Sequence, residues 1–86
     1  MIASTITVTT SPTVLVAATA NATRTIYIEP VGGDIHVGGS AVTTTTGLVT
    51  KKDQISTYLL PPKNALYGIT STGTVTIRIL LPEGDY

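Results

Sequence analysis

The sequence predicts an all-β fold, a small antiparallel β-sandwich or barrel of about seven short strands with jelly-roll character. Three observations carry this. Apolar residues recur with period two along nearly every segment, Thr occurs 18 times, and Gly or Pro interrupts the chain at short intervals. Thr is β-branched: it loses side-chain freedom in a helix but sits well on a pleated surface, its methyl packing while its hydroxyl faces water or a neighbour. No stretch shows the helical period, and short alternating runs separated by turn signals are the pattern of a sandwich or small barrel.

Taken in order, Ile6 and Val8 alternate with Thr5, Thr7 and Thr9, giving a first strand with one greasy and one Thr-covered face. Pro12 interrupts the ladder, so Thr13–Ala17 starts a second strand, with Val14, Leu15 and Val16 apolar on both faces. Residues 18–23 read as a loop of small side chains. Arg24–Pro30 alternates most clearly, Ile26 and Ile28 against Thr25, Tyr27 and Glu29. Gly32–Gly33 tolerates the positive φ of tight turns, which predicts a hairpin back into Ile35–Val37. Residues 41–50 read as a Thr-rich loop with at most short strand pieces, followed by a polar turn at Lys51–Lys52–Asp53–Gln54. Ile55–Leu60 is a fifth strand. Leu66–Ser71 and Thr74–Leu81 flank Thr72–Gly73 as a second hairpin. The expected core is Ile26, Ile28, Ile35, Val37, Ile69, Val75, Ile77 and Ile79. Residues 1–11 are expected to form an N-terminal arm or strand that pairs with or lies across a neighbouring chain, and residues 12–86 a single β domain.

A domain of 86 residues hides only about 60% of the surface of its unfolded chain. With no Cys and a single His, disulfides are excluded and a structural metal is starved of ligands, which leaves association as the remaining support. Five basic and five acidic residues cancel to a net charge of zero, and the basic ones (Arg24, Lys51, Lys52, Lys63, Arg78) are scattered. They form no stripe that could track phosphates, so nucleic acid is not an expected partner. A chain near zero net charge tends to associate. No run of about 20 apolar residues suggests a membrane span. The segment Val14–Ala20 lacks the basic leader of a signal peptide, so none is expected.

Chemistry-bearing groups are few. His36 follows Asp34 by two residues, a spacing that on a strand puts both on one face, but a catalytic dyad also needs a nucleophile and an oxyanion site that no motif supplies. Glu83 and Asp85 could bind a cation only with several further oxygen ligands, so a solvated tail is the expectation. Gly32–Gly33 and Gly38–Gly39 precede no helix, which removes the phosphate-loop reading. Lys51–Lys52 reads as a solvated turn beside Asp53. Asn21–Ala22–Thr23 matches a glycosylation acceptor that has meaning only after secretion. The aromatics are Tyr27, Tyr58, Tyr67 and Tyr86. An exposed Tyr58 would suit sugar stacking, whereas Tyr27 and Tyr67 are expected in or beside the core with hydroxyls at its rim. No catalytic, metal or cofactor-binding residue is expected, no cofactor is implied, and the protein is read as non-enzymatic.

Three stretches carry a resemblance: Arg24-Thr-Ile-Tyr-Ile-Glu-Pro, then Ile35-His-Val-Gly-Gly-Ser-Ala-Val-Thr-Thr-Thr-Thr-Gly-Leu, and Leu66-Tyr-Gly-Ile-Thr-Ser running to Val75-Thr-Ile-Arg-Ile-Leu. Together they resemble small virion β-modules of tailed bacteriophages, of the head-decoration (cement) type. The resemblance implies a structural protein on the outer capsid surface of the virion, present in many copies. Such a protein bridges and stabilises major capsid proteins and forms a homotrimer. The alternative is a receptor- or glycan-binding module of a phage head or tail fibre. Neither reading involves nucleic acid or membrane.

Overall fold

The structure is a computed structural model that describes residues 2–18 and 23–81. The expectations for Asn21 and Ala22 and for Glu83, Asp85 and Tyr86 lie outside the described residues. Among the described residues eight strands follow one another: β1 (Ile2–Val8), β2 (Thr13–Val16), β3 (Arg24–Val31), β4 (Ile35–Gly38), β5 (Leu48–Thr50), β6 (Ser56–Leu60), β7 (Leu66–Ile69) and β8 (Val75–Leu81). They form two four-stranded sheets, in the orders β1-β8-β3-β6 and β2-β7-β4-β5, with every neighbouring pair antiparallel. The fold is an all-β sandwich. Its logic is that of a ribbon folded in half: the pairs β1·β8, β2·β7, β3·β6 and β4·β5 run back from the connection at residues 39–47. Wrapping that ribbon sets β3 beside β8 and β4 beside β7, which is jelly-roll topology.

Both expected hairpins are corrected by this arrangement. β3 and β4 belong to opposite sheets, as do β7 and β8, so the turns between them arch across the sandwich instead of joining paired strands. The reason is occupancy: β3 is flanked by β6 and β8, and β7 by β2 and β4, so neither has a side free for the next strand in sequence. The turn glycines serve the arch equally well, Gly32 at φ 99° and Gly73 at φ 63°. The eighth strand, β5, lies at the end of the Thr-rich segment and makes with β4 a pairing of sequence neighbours.

Alternation delivers the core. Ile26, Ile28, Ile35 and Ile77 are fully enclosed, and Val37, Val75 and Ile79 nearly so, as the sequence predicts. Val8, Leu15, Val16, Leu60 and Leu66 complete the cluster. Leu15 and Val16 are both buried although adjacent, because the register of β2 on β7 shifts between Val14 and Val16; this bulge turns two consecutive side chains inward and leaves Val14 outside. Ile69 is also buried, but it lies outside the central cluster, opposite His36 in the register. The hydroxyls of Thr50 on β5 and Tyr58 on β6 hydrogen-bond to each other and so tie one sheet to the other.

Candidate functional site

The N-terminal strand frames the site. β1 pairs with β8 of its own chain along seven positions, from Ile2↔Leu81 to Val8↔Val75, and Val8 is fully buried in the core. Residues 2–8 are therefore an edge strand of the sandwich. One side is satisfied within the chain, and the other has no strand beside it among the described residues.

The outer face of the β1-β8-β3-β6 sheet can be built row by row from the register. One cross-strand row reads Ala3, Leu80, Tyr27, Thr57; the next begins Thr5, Arg78, Glu29 and ends against Ile55. Leu59, opposite Thr25, adds to the same face. These are alternate residues, each the outward neighbour of a core side chain, so the pleat that fills the core also exposes them. Ile55 is 69% exposed, Leu59 71% and Tyr27 37%. Ala3, Tyr27, Ile55 and Leu80 line a shallow groove of about 270 Å³, bordered by Arg78 and Glu29. Arg78 Nη1 donates to Glu29 Oε1 at 3.5 Å across the strands. The groove is small for a ligand site, since drug-sized molecules occupy roughly 300–1,000 Å³. An open apolar band holding one internally compensated ion pair is suited to contact with another protein surface.

Asp34 and His36 form no dyad among the described residues, and Asp34 is engaged by Lys51 and Lys52 instead. Asp34 Oδ1 accepts from the backbone N–H of Lys52 at 2.7 Å, and its Oδ2 lies 3.7 Å from Lys51 Nζ. The carboxylate thus fastens the 51–54 turn to the β3–β4 arch, helped by the Asp53 N–H donating to Pro30 O at 2.9 Å. His36 is half-buried, and its Nδ1 is enclosed without a hydrogen-bond partner among the described residues. The 39–47 connection folds back here. Val42 is buried, and Gly47 sits so close that a Cβ on it would come within 2.8 Å of both His36 Cβ and Val42 Cγ2. Thr43 holds the connection in shape, its Oγ1 accepting from the N–H groups of Thr45 at 3.3 Å and Thr46 at 3.1 Å.

Of the tyrosines expected in or beside the core, Tyr27 departs from its place. Tyr58 faces inward and packs against the core, while Tyr27 is the one displayed on the outer face. Tyr67 is half-buried. Arg24, grouped by composition with the scattered surface cations, is only 7% exposed; its Nη2 donates to Ala17 O at 2.9 Å and its Nε has no partner among the described residues. The signal for this was present, since Arg24 shares the inward parity of Ile26 and Ile28. Likewise Leu59 and Leu80 hold outward positions, where an apolar residue is the exception that marks a contact face. Comparisons with protein-family models, with curated proteins and with solved structures return no match.

Proposed function

We propose that this chain is a non-enzymatic virion structural protein that binds the exterior of a bacteriophage capsid and stabilises it by bridging major capsid proteins. The observation that carries the reading is the outer face of the β1-β8-β3-β6 sheet, where Tyr27, Ile55 and Leu59 stand exposed around one Arg78–Glu29 pair. Two further points support it: the resemblance of three stretches of the sequence to decoration modules, and the jelly-roll topology, a layout common among capsid proteins, which by itself is fold-level analogy. The mechanism is mass action. A protein that binds the intact lattice but not its dissociated form stabilises each site by about 2.7 kcal/mol at a hundred times its dissociation constant, and many sites add. Because the face is apolar and nearly neutral, binding should depend weakly on salt.

The test mixes purified protein with undecorated mature particles, sediments them, and records the temperature at which DNA escapes. Co-sedimentation in many copies and a raised release temperature are expected from the wild type and not from the Leu59→Asp variant. Protein that stays in the supernatant while the release temperature is unchanged refutes decoration. The alternative, a receptor- or glycan-binding module, rests on Tyr27, the aromatic displayed beside the groove. It expects a few copies per particle and binding that Tyr27→Ala removes.

A further inference from the structure

Among the described residues the two sheets present four edges, of which three are blunted and one is not. β2 has four residues, begins after Pro12 and is bulged; β5 has three; β6 has five and runs into Pro61–Pro62. Charge, proline, bulges and brevity are how proteins keep sheet edges from pairing with other chains. β1 has none of them. Its seven residues, Ile-Ala-Ser-Thr-Ile-Thr-Val, hold no charge, proline or glycine, and pair with β8 without a register shift. It is therefore a straight, open template.

We propose that the free edge of β1 pairs antiparallel with β1 of a second copy of this chain, about a twofold axis at Thr5, to make one continuous eight-stranded sheet. This inference does not rest on the capsid reading. The choice of occupant follows from symmetry and charge. A twofold axis normal to the sheet requires that some residue oppose its own mate, because only then do facing side chains lie on one side of the pleat. Centring on Thr5 overlaps all seven residues: Thr5 on Thr5, Ser4 on Ile6, Ala3 on Thr7 and Ile2 on Val8. On the outer side Ala3, Thr5 and Thr7 meet their counterparts, small or β-branched side chains that suit cross-strand packing. On the inner side Ile6, half-buried at the border of the core, comes opposite Ser4. No like charges collide. Arg78, opposite Thr5 on β8, is three strand spacings from its mate, roughly 14 Å, which exceeds the screening length of about 8 Å in physiological salt. Each Arg78 also keeps its own Glu29. A seven-residue uncharged strand therefore finds in its own copy a partner that matches it in length, pattern and electrostatics.

The chain has no Cys, so an introduced one reports a single position. Thr5 and Thr57 are both exposed, and one lies on each edge strand of the same sheet. Facing residues on paired antiparallel strands have Cα atoms about 4.5–5.5 Å apart, inside the range a disulfide spans. Sedimentation equilibrium of the wild-type chain should give a dimer. Under mild oxidation Thr5→Cys should cross-link into that dimer much faster than Thr57→Cys. Thr5→Lys and Thr5→Glu should each weaken association, and an equimolar mixture of the two should bind on the order of tenfold more tightly than either alone, because opposite charges then face each other. Circular dichroism of the variants verifies that the sheet is intact. A monomer, or a trimer of the order implied by the resemblance, overturns the proposal. So does a dimer that is indifferent to both charges and cross-links no faster at position 5 than at 57.

Discussion

Replacing Ile77 with Ala tests the packing that holds the sandwich together. Ile77 is 0% exposed, in the middle of β8, flanked in register by Ile6 on β1 and Pro30 on β3. The substitution removes three carbons from an enclosed site. At about 0.8 kcal/mol each, the lost transfer energy is about 2.4 kcal/mol, and the cavity left behind raises the total to at least about 3 kcal/mol, within the usual 2–5 kcal/mol range. A domain of this length has roughly 4–13 kcal/mol to lose, at about 0.05–0.15 kcal/mol per residue. A loss of about 3 kcal/mol should lower the melting midpoint by roughly 12–24 °C. Urea titration and calorimetry read the same quantity, with the adjacent outward residue as control: Thr76→Ala, exposed, should cost under about 0.5 kcal/mol. A midpoint for Ile77→Ala within about 4 °C of wild type, the effect of a single kilocalorie, would refute the enclosed position of Ile77.

Tyr58→Phe should cost about 1–3 kcal/mol in urea titration, because it strands the fully buried Thr50 hydroxyl, and adding Thr50→Val should recover part of that loss. Gly47→Ala forces a Cβ to within 2.8 Å of His36 and Val42, so a loss of about 1–3 kcal/mol and faster amide exchange across residues 39–47 are expected. Leu59→Asp, at a position 71% exposed, should leave the melting midpoint within about half a kilocalorie's shift of wild type while removing capsid binding, which separates contact from folding. In stopped-flow chevrons, Val42→Ala at the tip of the ribbon should mainly slow folding and Ile6→Val at its open end mainly speed unfolding; the reverse pattern would mean that the ribbon does not close from its tip.

What was legible in the sequence is what period two can encode. Parity along Arg24–Pro30 and Thr74–Leu81 sorts inward from outward residues, and all eight expected core positions are buried. The same parity, followed strictly, also places Arg24 inside and Leu59 and Leu80 outside, against what charge and hydropathy alone suggest. Parity fails at Val14–Leu15–Val16, where a bulge changes the count, and no local signal announces a bulge there. The connections at Gly32–Gly33 and Thr72–Gly73 escape a local reading for a related reason. Gly32–Gly33 and Thr72–Gly73 have the chemistry of a tight turn, and a tight turn can close a hairpin or arch between sheets. Turn residues set the local backbone; which sheet receives the next strand is set by competition for edges far along the chain.

That competition is settled at long range. Ile2 pairs with Leu81 and Thr13 with Gly68, whereas the pairing of β4 with β5 joins residues close in sequence. If the ribbon closes first at residues 39–47, each later pair is brought together by the one before it: β4·β5, then β3·β6, β2·β7 and β1·β8. A β3–β4 hairpin would take the side of β4 that β5 or β7 needs, and would leave the Thr-rich connection without the surface on which Val42 and Gly47 pack. The compact 39–47 turn, with Thr43 collecting its N–H groups, thus favours the β4·β5 closure over the hairpin that the glycines alone would allow. On this order β1 is the last strand added and its outer edge the last left unpaired. An edge without charge, proline or bulge at that position has been left able to pair once more, which is the physical link between the folding of one chain and its association with a second.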